Sequence, residues 1–592
     1  MAIDLKGSFQ VIKARNGLNT LIYNEPPHNY WLHSSYNPLI EAKRWAGEIN
    51  CNPDDILVIL GVGLGYHLNY LIDKVPQGKI IAIEPDPRIR ELYYQSENYD
   101  QLQSDSRFII YPGNISLSKF LIAIIDEFAL EKVKCFTYKP IERLFSDIYL
   151  NYIKAIKEAL YILLVARNTD LFFSVRWVEN FFANLPYIIT SPPASCIYSR
   201  FLKRPGIVVS AGPSLNKNIE LLKEVQGKAV ILVVGTALKP VLAKGIRPSF
   251  AVSIDGSPAN YEHFRDLPDH TCPLIFDGII YPEIVERYRG IKLASVFYNV
   301  FSDWLEKRLE INPARLIVGP SVASTAFDYA LKLGLDPIIF VGQDLAYSGE
   351  FTHARGTVYD NNKPVEDAKK ITLVEDVYGK KVATSYPMLA MLRALETQID
   401  SMAMGRKIID ATEGGARIAG TEIMTLREAL DIYCQKNFYP EETINEIITA
   451  YQPPGKDDLA TIAQRIREEE KELGGAAAIC RTGERLAKDL ELVFTSREPD
   501  QRRVDKLLKR LEDVDAELKE LQSRLLPVSM VFQPIWFQLK NGPFARPEDD
   551  WCAEGLRVAK KSQLLYEGLT EGITIVRRAM DQAASRLEQF WQ

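Results

Sequence analysis

The stretch Gly206-Ile207-Val208-Val209-Ser210-Ala211-Gly212-Pro213-Ser214-Leu215 decides the fold. Its first half is a short run of apolar, mostly β-branched residues, the pattern of a strand buried on both faces. Its second half is a Gly-Pro turn. Gly212 lets the backbone approach another group closely, and Pro213 presets φ. Ser214 is placed to cap a following helix, or to offer its hydroxyl and N–H to a phosphate. Strand, glycine turn and helix in this order open a doubly wound α/β sheet. A plain capping turn would read the same way, so the neighbouring segments decide.

They repeat the pattern. Residues 229–234 form the next expected strand, ending at Gly235-Thr236. Residues 250–254 form another, running into Asp255-Gly256-Ser257. Gly319-Pro320-Ser321-Val322-Ala323-Ser324 opens a helix extending to about 333, and residues 337–341 lead into Gly342-Gln343-Asp344-Leu345-Ala346-Tyr347. Strands alternating with helices predict a parallel sheet. Small and polar residues recur at its carboxyl rim, where such sheets bind ligands.

Two flanking regions differ from this centre. In residues 1–195, Ile56-Leu57-Val58-Ile59-Leu60 is a buried strand, followed by Gly61-Val62-Gly63-Leu64-Gly65, a helix, and a second strand ending at Glu84. That is a β–Gly-loop–α–β unit, with Glu84 placed for a ribose hydroxyl. Many such loops serve only to pack helix on sheet, and both readings stand here. A Pro-rich break at 191–195 closes the region. In residues 431–592, Val504, Leu507, Leu511, Val514, Leu518, Leu521 and Leu525 step by three and four. They form an a/d seam ending at Pro527, which serves either a self-associating coiled coil or packing within the chain. A second helical pattern, 459–490, is expected to break at Gly474-Gly475. The fold class is α/β: an N-terminal Rossmann-like domain (1–195), a central doubly wound domain (196–430) and a C-terminal all-helical domain (431–592).

The 592 residues exceed one core, at about 100–200 residues per domain. The 71 Lys and Arg against 77 Asp and Glu give a net charge of -6, which provides no global drive toward nucleic acid or anionic membranes. Neither is expected as a partner. The seven cysteines are scattered, without metal-ligand spacing, and read as reduced thiols. The N-terminus lacks the pattern of a secretory signal. The longest apolar run, 159–166, falls short of the roughly 20 residues that span a bilayer. These features predict a cytoplasmic protein.

The central motifs taken together carry a family resemblance. They are GPSLN at 212–216, SIDGSP at 253–258, GPSVAS at 319–324, GQDLAYS at 342–348 with THARG at 352–356, and ATEGGARIAGT at 411–421. This set resembles the motility accessory factor (Maf) family, whose central domain is similar to sialyltransferases of the GT-A-like, single-Rossmann type. The resemblance implies a glycosyltransferase that moves pseudaminic or legionaminic acid from a CMP-activated donor to Ser or Thr of flagellin. It implies no tightly bound cofactor, the CMP-nonulosonic acid being a substrate. The implied roles put Gly212, Pro213 and Ser214 against the phosphate, and Thr236, Asp255 and Ser257 at the cytidine, ribose or sugar. Ser321 and Val322 would meet the donor carboxylate or ribose. Gly342 and Asp344 would lie at the strand end, with Tyr347 steadying the leaving phosphate.

The general base has several candidates. The sialyltransferase position, near 383–387, holds no histidine. Among His28, His33, His67, His263, His270 and His353, only His353 lies beside the rim motifs. An imidazole titrates near neutrality and suits the role. Glu413 is a rival base or an acceptor-binding residue, and Arg355 is a candidate partner for the donor phosphate or carboxylate. No DxD motif occurs in the central region. Asp513-Val514-Asp515 lies on the heptad helix as a solvated pair. Metal-independent transfer is therefore expected. Two other readings remain: a 6-hydroxymethylpterin diphosphokinase using ATP and Mg²⁺, in which Asp255 and Asp344 would hold the metal, and a non-catalytic flagellin-binding accessory protein.

Overall fold

The computed structural model describes residues 7–590, apart from 143, 270, 298–299, 318, 349–350 and 361–370. The chain divides into two compact units, Met1–Arg167 and Asn168–Gln592. The division falls inside one long helix, Ser146–Thr190. Residues 168–195 and 431–592 are thus grouped with the central sheet.

The first unit contains an antiparallel meander of β1 (Ser8–Lys13), β2 (Asn19–Glu25) and β3 (His28–Trp31). Beside these in sequence come β4 (Ile56–Leu60), β5 (Lys79–Ile83), β6 (Phe108–Ile110) and β7 (Val133–Thr137). They form a parallel sheet in the order β6-β5-β4-β7. The expected glycine loop follows β4, but its donors are already engaged. Glu84 is fully buried, and its Oε2 accepts the N–H groups of Val62 (2.8 Å) and Gly63 (3.2 Å). His33 Nε2 accepts the Leu64 N–H at 2.8 Å. A Cβ at Gly61 would lie 2.7 Å from the Tyr149 hydroxyl, and one at Gly65 2.2 Å from the Tyr93 ring. Glu84 therefore does not wait for a ribose. It plugs its own loop, and Gly61 and Gly65 serve close packing.

The second unit is built on β8 (Gly206–Val209), β9 (Val230–Val234), β10 (Phe250–Ser253), β11 (Leu274–Asp277), β12 (Lys292–Phe297), β13 (Arg315–Leu316) and β14 (Ile338–Val341). A hairpin, β15 (Ile371–Glu375) and β16 (Lys381–Ser385), precedes β17 (Ile408–Asp410) and β18 (Glu422–Ile423). Nine strands make one sheet in the order β13-β12-β11-β10-β9-β8-β14-β17-β18. Every pairing in it is parallel. The expected strands fall within one residue of their predicted bounds. All residues of β8, β9, β10, β11 and β14 are buried, as a sheet covered on both faces requires. The chain lays strands outward from β8 to β13, then returns to the other side of β8 as β14. The switch point is therefore β8/β14, the place where doubly wound sheets open a ligand crevice.

The C-terminal helices are Lys456–Phe494, Gln501–Glu520, Leu526–Asn541 and Trp551–Gln589. Two expectations need correction. The first helix runs unbroken through Gly474 and Gly475. Its length is sustained by the antiparallel Trp551–Gln589 helix, through Arg467 to Asp581 (3.0 Å) and Gln563 to Glu491 (2.7 Å). Pro527 sits in the first turn of Leu526–Asn541, where its missing N–H costs nothing, and the seam helix ends earlier. Val504, Leu507, Leu511, Val514 and Leu518 are buried within the chain. Asp515 is not merely solvated, since its carboxylate accepts the Tyr566 hydroxyl at 2.8 Å. All seven cysteines are free. Among the described residues, no helix is long and apolar enough to cross a membrane.

Candidate functional site

The switch point interlocks three of the sequence motifs. Ser210 leaves β8 and donates its hydroxyl to Gln343 Oε1, while Gly212 N–H donates to Gly342 O at 2.8 Å. Asp344, only 3% exposed, lies beneath the Gly-Pro turn. Its Oδ2 accepts the Ser214 hydroxyl at 2.5 Å, its Oδ1 accepts the Ser348 hydroxyl, and the Ser214 N–H is 3.3 Å from both oxygens. Burial pushes the Asp344 carboxyl above its ordinary range, against the lowering by Ser214, Ser348 and the Lys217 charge. Ser214 therefore departs from expectation. Its hydroxyl makes no helix cap and turns inward to Asp344, and the helix that follows is a single turn, Leu215–Asn218.

Steric limits explain the glycines. A Cβ at Gly212 would lie 2.0 Å from Asp344 Oδ2. Gly342 has φ +67°, and Gly415 has φ +78° with the Asp344 carbonyl 2.3 Å from its hypothetical Cβ. In the turns after β14 and β17, the non-glycine residues Leu345 (φ 47°) and Glu413 (φ 57°) also adopt left-handed backbone. Such strain persists where surrounding bonds over-determine it. Thr384 Oγ1 donates to Leu345 O at 2.7 Å. The Glu413 carbonyl accepts from Lys217 Nζ (2.7 Å) and the Tyr378 hydroxyl (3.0 Å). Its carboxylate accepts from Asn218 Nδ2 and Leu426 N–H, both at 3.1 Å. Glu413 thus ties the turn after β17 to the turn after β8, which is a structural use of the proposed rival base. Asp410, at the end of β17, is buried and pushed up to about 6, first by that burial and then in part by the Asp344 charge.

The site extends along the rim toward β9 and β10. Thr236 is half-buried in the first turn of Gly235–Ala243, directly after β9. Asp255 is exposed after β10, and its Oδ1 accepts the Ser257 N–H at 2.8 Å. Asn260 holds this turn through Ser253 Oγ (3.0 Å) and Asp255 O (2.8 Å). Asn180 Nδ2 holds it from outside, bonding Gly256 O and Ile279 O at 2.9 Å each. Tyr281 N–H donates to Asp255 O at 3.3 Å. Tyr281 and Asn180 also line a cleft of about 460 Å³ walled by Glu286, Arg578 and Arg586.

The loop bearing His353 is strapped over β8. Ala354 N–H donates to Ala211 O at 2.9 Å, and Arg355 N–H to Asn216 Oδ1 at 3.0 Å. His353 Nδ1 pairs with Thr352 Oγ1 at 2.8 Å, and burial moves its imidazole below the ordinary value. The Tyr359 ring lies 5.1 Å from His353 and 5.1 Å from His263, centroid to centroid. His263 was passed over as remote from the rim motifs, because topology and not spacing brings it to Tyr359 and His353, which share one loop. His270 lies outside the described residues. Tyr347 is half-buried, its N–H bonded to Ala383 O at 2.8 Å in β16.

Ser321 and Val322 stand apart from these groups. Ser321 caps the helix Val322–Leu333, accepting from Ser324 N–H at 3.3 Å. Gln398 donates to Ser324 O at 3.0 Å in the first turn of that helix. Among the described residues, no group of three or more His, Cys, Asp and Glu is arranged to hold a metal ion.

Comparison with known proteins agrees with this architecture. Residues 179–350 match the family model of 6-hydroxymethylpterin diphosphokinase MptE-like proteins. An uncharacterised protein of Treponema pallidum (strain Nichols) is 26% identical over 243 residues. That match spans 40% of this chain and about half (52%) of the relative's length. A Maf glycosyltransferase from Magnetospirillum magneticum AMB-1 superposes over 98% of this chain and 91% of its own, at 14% identity and a TM-score of 0.53. The MptE-like match at the centre and the fold shared with the Maf glycosyltransferase agree with the resemblance drawn from the motifs.

Proposed function

We propose that this chain is a glycosyltransferase that moves a nonulosonic acid, pseudaminic or legionaminic, from a CMP-activated donor to Ser or Thr of flagellin in the cytoplasm, a step serving flagellum assembly and motility. The observation that supports this reading is the interlocked switch point, where Asp344 pins the Ser214 turn within a Maf-type fold. In this reading the donor lies along the rim from Gly212 to Thr236, Asp255 and Ser257, and Tyr347 faces the leaving phosphate. The transferred sugar carries a carboxylate on its anomeric carbon, and the transition state is oxocarbenium-like. The bond between that carbon and the phosphate oxygen breaks, and its electron pair leaves with CMP. A new bond forms from the acceptor hydroxyl oxygen, whose proton passes to His353 Nε2. That role requires the tautomer in which Nδ1–H donates to Thr352, leaving Nε2 bare.

The test is incubation with CMP-nonulosonate and flagellin, read by intact mass. A nonulosonate increment supports the proposal. Binding without an increment supports an accessory protein. The MptE-like match favours one further reading, a pterin diphosphokinase. Release of AMP from ATP in the presence of a 6-hydroxymethylpterin would establish it and displace the first.

A further inference from the structure

We infer that His263 is a positioning residue for His353, acting through the Tyr359 ring lodged between the two imidazoles. The inference rests on the transferase reading for its chemistry, and on geometry for the contact itself.

The three rings come from two separate parts of the chain. His263 ends the short helix Pro258–His263 after β10 and is 4% exposed. His353 and Tyr359 lie on the loop strapped to Ala211. Tyr359 meets His263 edge to face, with 77° between ring planes, and meets His353 at a 51° tilt. Aromatic pairs at 4.5–7 Å hold one another in orientation. Tyr359 is therefore fixed from below by His263, and it limits how His353 can turn.

The charge state suits the task. Burial brings His263 down to about 4, with the Lys239 and His353 charges adding to that and Asp255 opposing it. His263 is then neutral at the pH where a base must work. A neutral neighbour does not repel the imidazolium that forms when His353 takes the acceptor proton. Tyr359 presents a π system beside that cation, a favourable contact. The charged or titratable groups acting on this cluster are Lys239, Asp255, Tyr359 and the two histidines.

The test is the titration of His353 in the full chain by histidine-labelled NMR, assigned with His353→Gln. With His263→Ala, water enters beside Tyr359, and the His353 midpoint should rise toward the ordinary imidazole value of about 6.5. Tyr359→Leu should do the same, whereas Tyr359→Phe keeps the ring and leaves the midpoint in place. The acid limb of kcat/KM should move with the NMR midpoint in His263→Ala. An unmoved midpoint in His263→Ala overturns the inference, whatever the variant's activity. A midpoint that moves in a protein without CMP-sugar transfer overturns the transferase reading and leaves the positioning role standing.

Discussion

Replacing Gly212 by alanine tests the switch point directly. The new Cβ would lie 2.0 Å from Asp344 Oδ2, 2.6 Å from its Cγ and 2.6 Å from Gly342 O. Ordinary contact begins at about 3.4 Å, so about 1.4 Å must be found somewhere. The carboxylate has little room to yield, because Ser214 and Ser348 hold its two oxygens. The turn has little room either, because Gly212 N–H is bonded to Gly342 O. Overpacking costs about 1–3 kcal/mol. Losing the charge-assisted bond from Ser214 would add about 1.5–3 kcal/mol. The expected destabilisation is about 2.5–6 kcal/mol. A unit the size of Asn168–Gln592 unfolds with an entropy of roughly 0.9 kcal/mol per kelvin, so the melting transition should fall by about 3–7 °C in calorimetry. Donor binding, read by calorimetric titration with CMP, should weaken in parallel. A variant that melts within 1 °C of the parent and binds CMP unchanged would refute the reasoning.

Four further outcomes are expected. Gly475→Ala, at a helical glycine with open space around its hypothetical Cβ, should stabilise by about 1 kcal/mol, and a loss of stability in urea melts would show that the glycine is needed. Burial raises the Glu84 carboxyl to about 7, above its unfolded value of 4.5, so the native state binds more protons between these limits. Stability of the first unit should therefore fall by about 3 kcal/mol as pH rises from 4.5 to 7; proteolysis rates within Met1–Arg167 measure this, and Glu84→Gln should flatten the dependence. Asp344→Asn leaves an amide N–H₂ facing a donor from Ser214 or Ser348 and should cost about 1.5–3 kcal/mol, with CMP affinity reduced; an unchanged affinity would remove Asp344 from the donor site. His353→Ala should lower transfer by about 10²–10⁴-fold with little change in donor KM, and near-normal turnover would exclude His353 as the base.

Four strands of the central sheet, β8, β9, β10 and β14, were legible because each is a short apolar run closed by a turn containing glycine, whereas β11, β12, β13, β17 and β18 were not read from the sequence. The seam residues Val504 to Leu518 were legible for the same kind of reason, a fixed period. Misreadings arose where a residue has two uses and the partner chooses between them. Gly474-Gly475 signals a break in isolation, yet a second long helix beside it keeps the helix continuous. Pro527 ends one helix or begins another, and the chain geometry makes it begin one. The Gly61–Gly65 loop had the form of a nucleotide site. Only the buried Glu84 carboxylate, seated on the loop's own N–H groups, shows that the position is filled from within.

The sequence by itself determined the α/β class, the parallel rim and the motifs that lie on it, because local apolar pattern and turn chemistry act over a few residues. The tertiary structure alone decided which of those motifs meet. It set the switch point between β8 and β14, turned Ser214 inward onto Asp344, tied Glu413 to Asn218, and carried His263 to the Tyr359 ring. The last three contacts span from about 95 to 195 residues of chain, and only strand order brings such distant residues together.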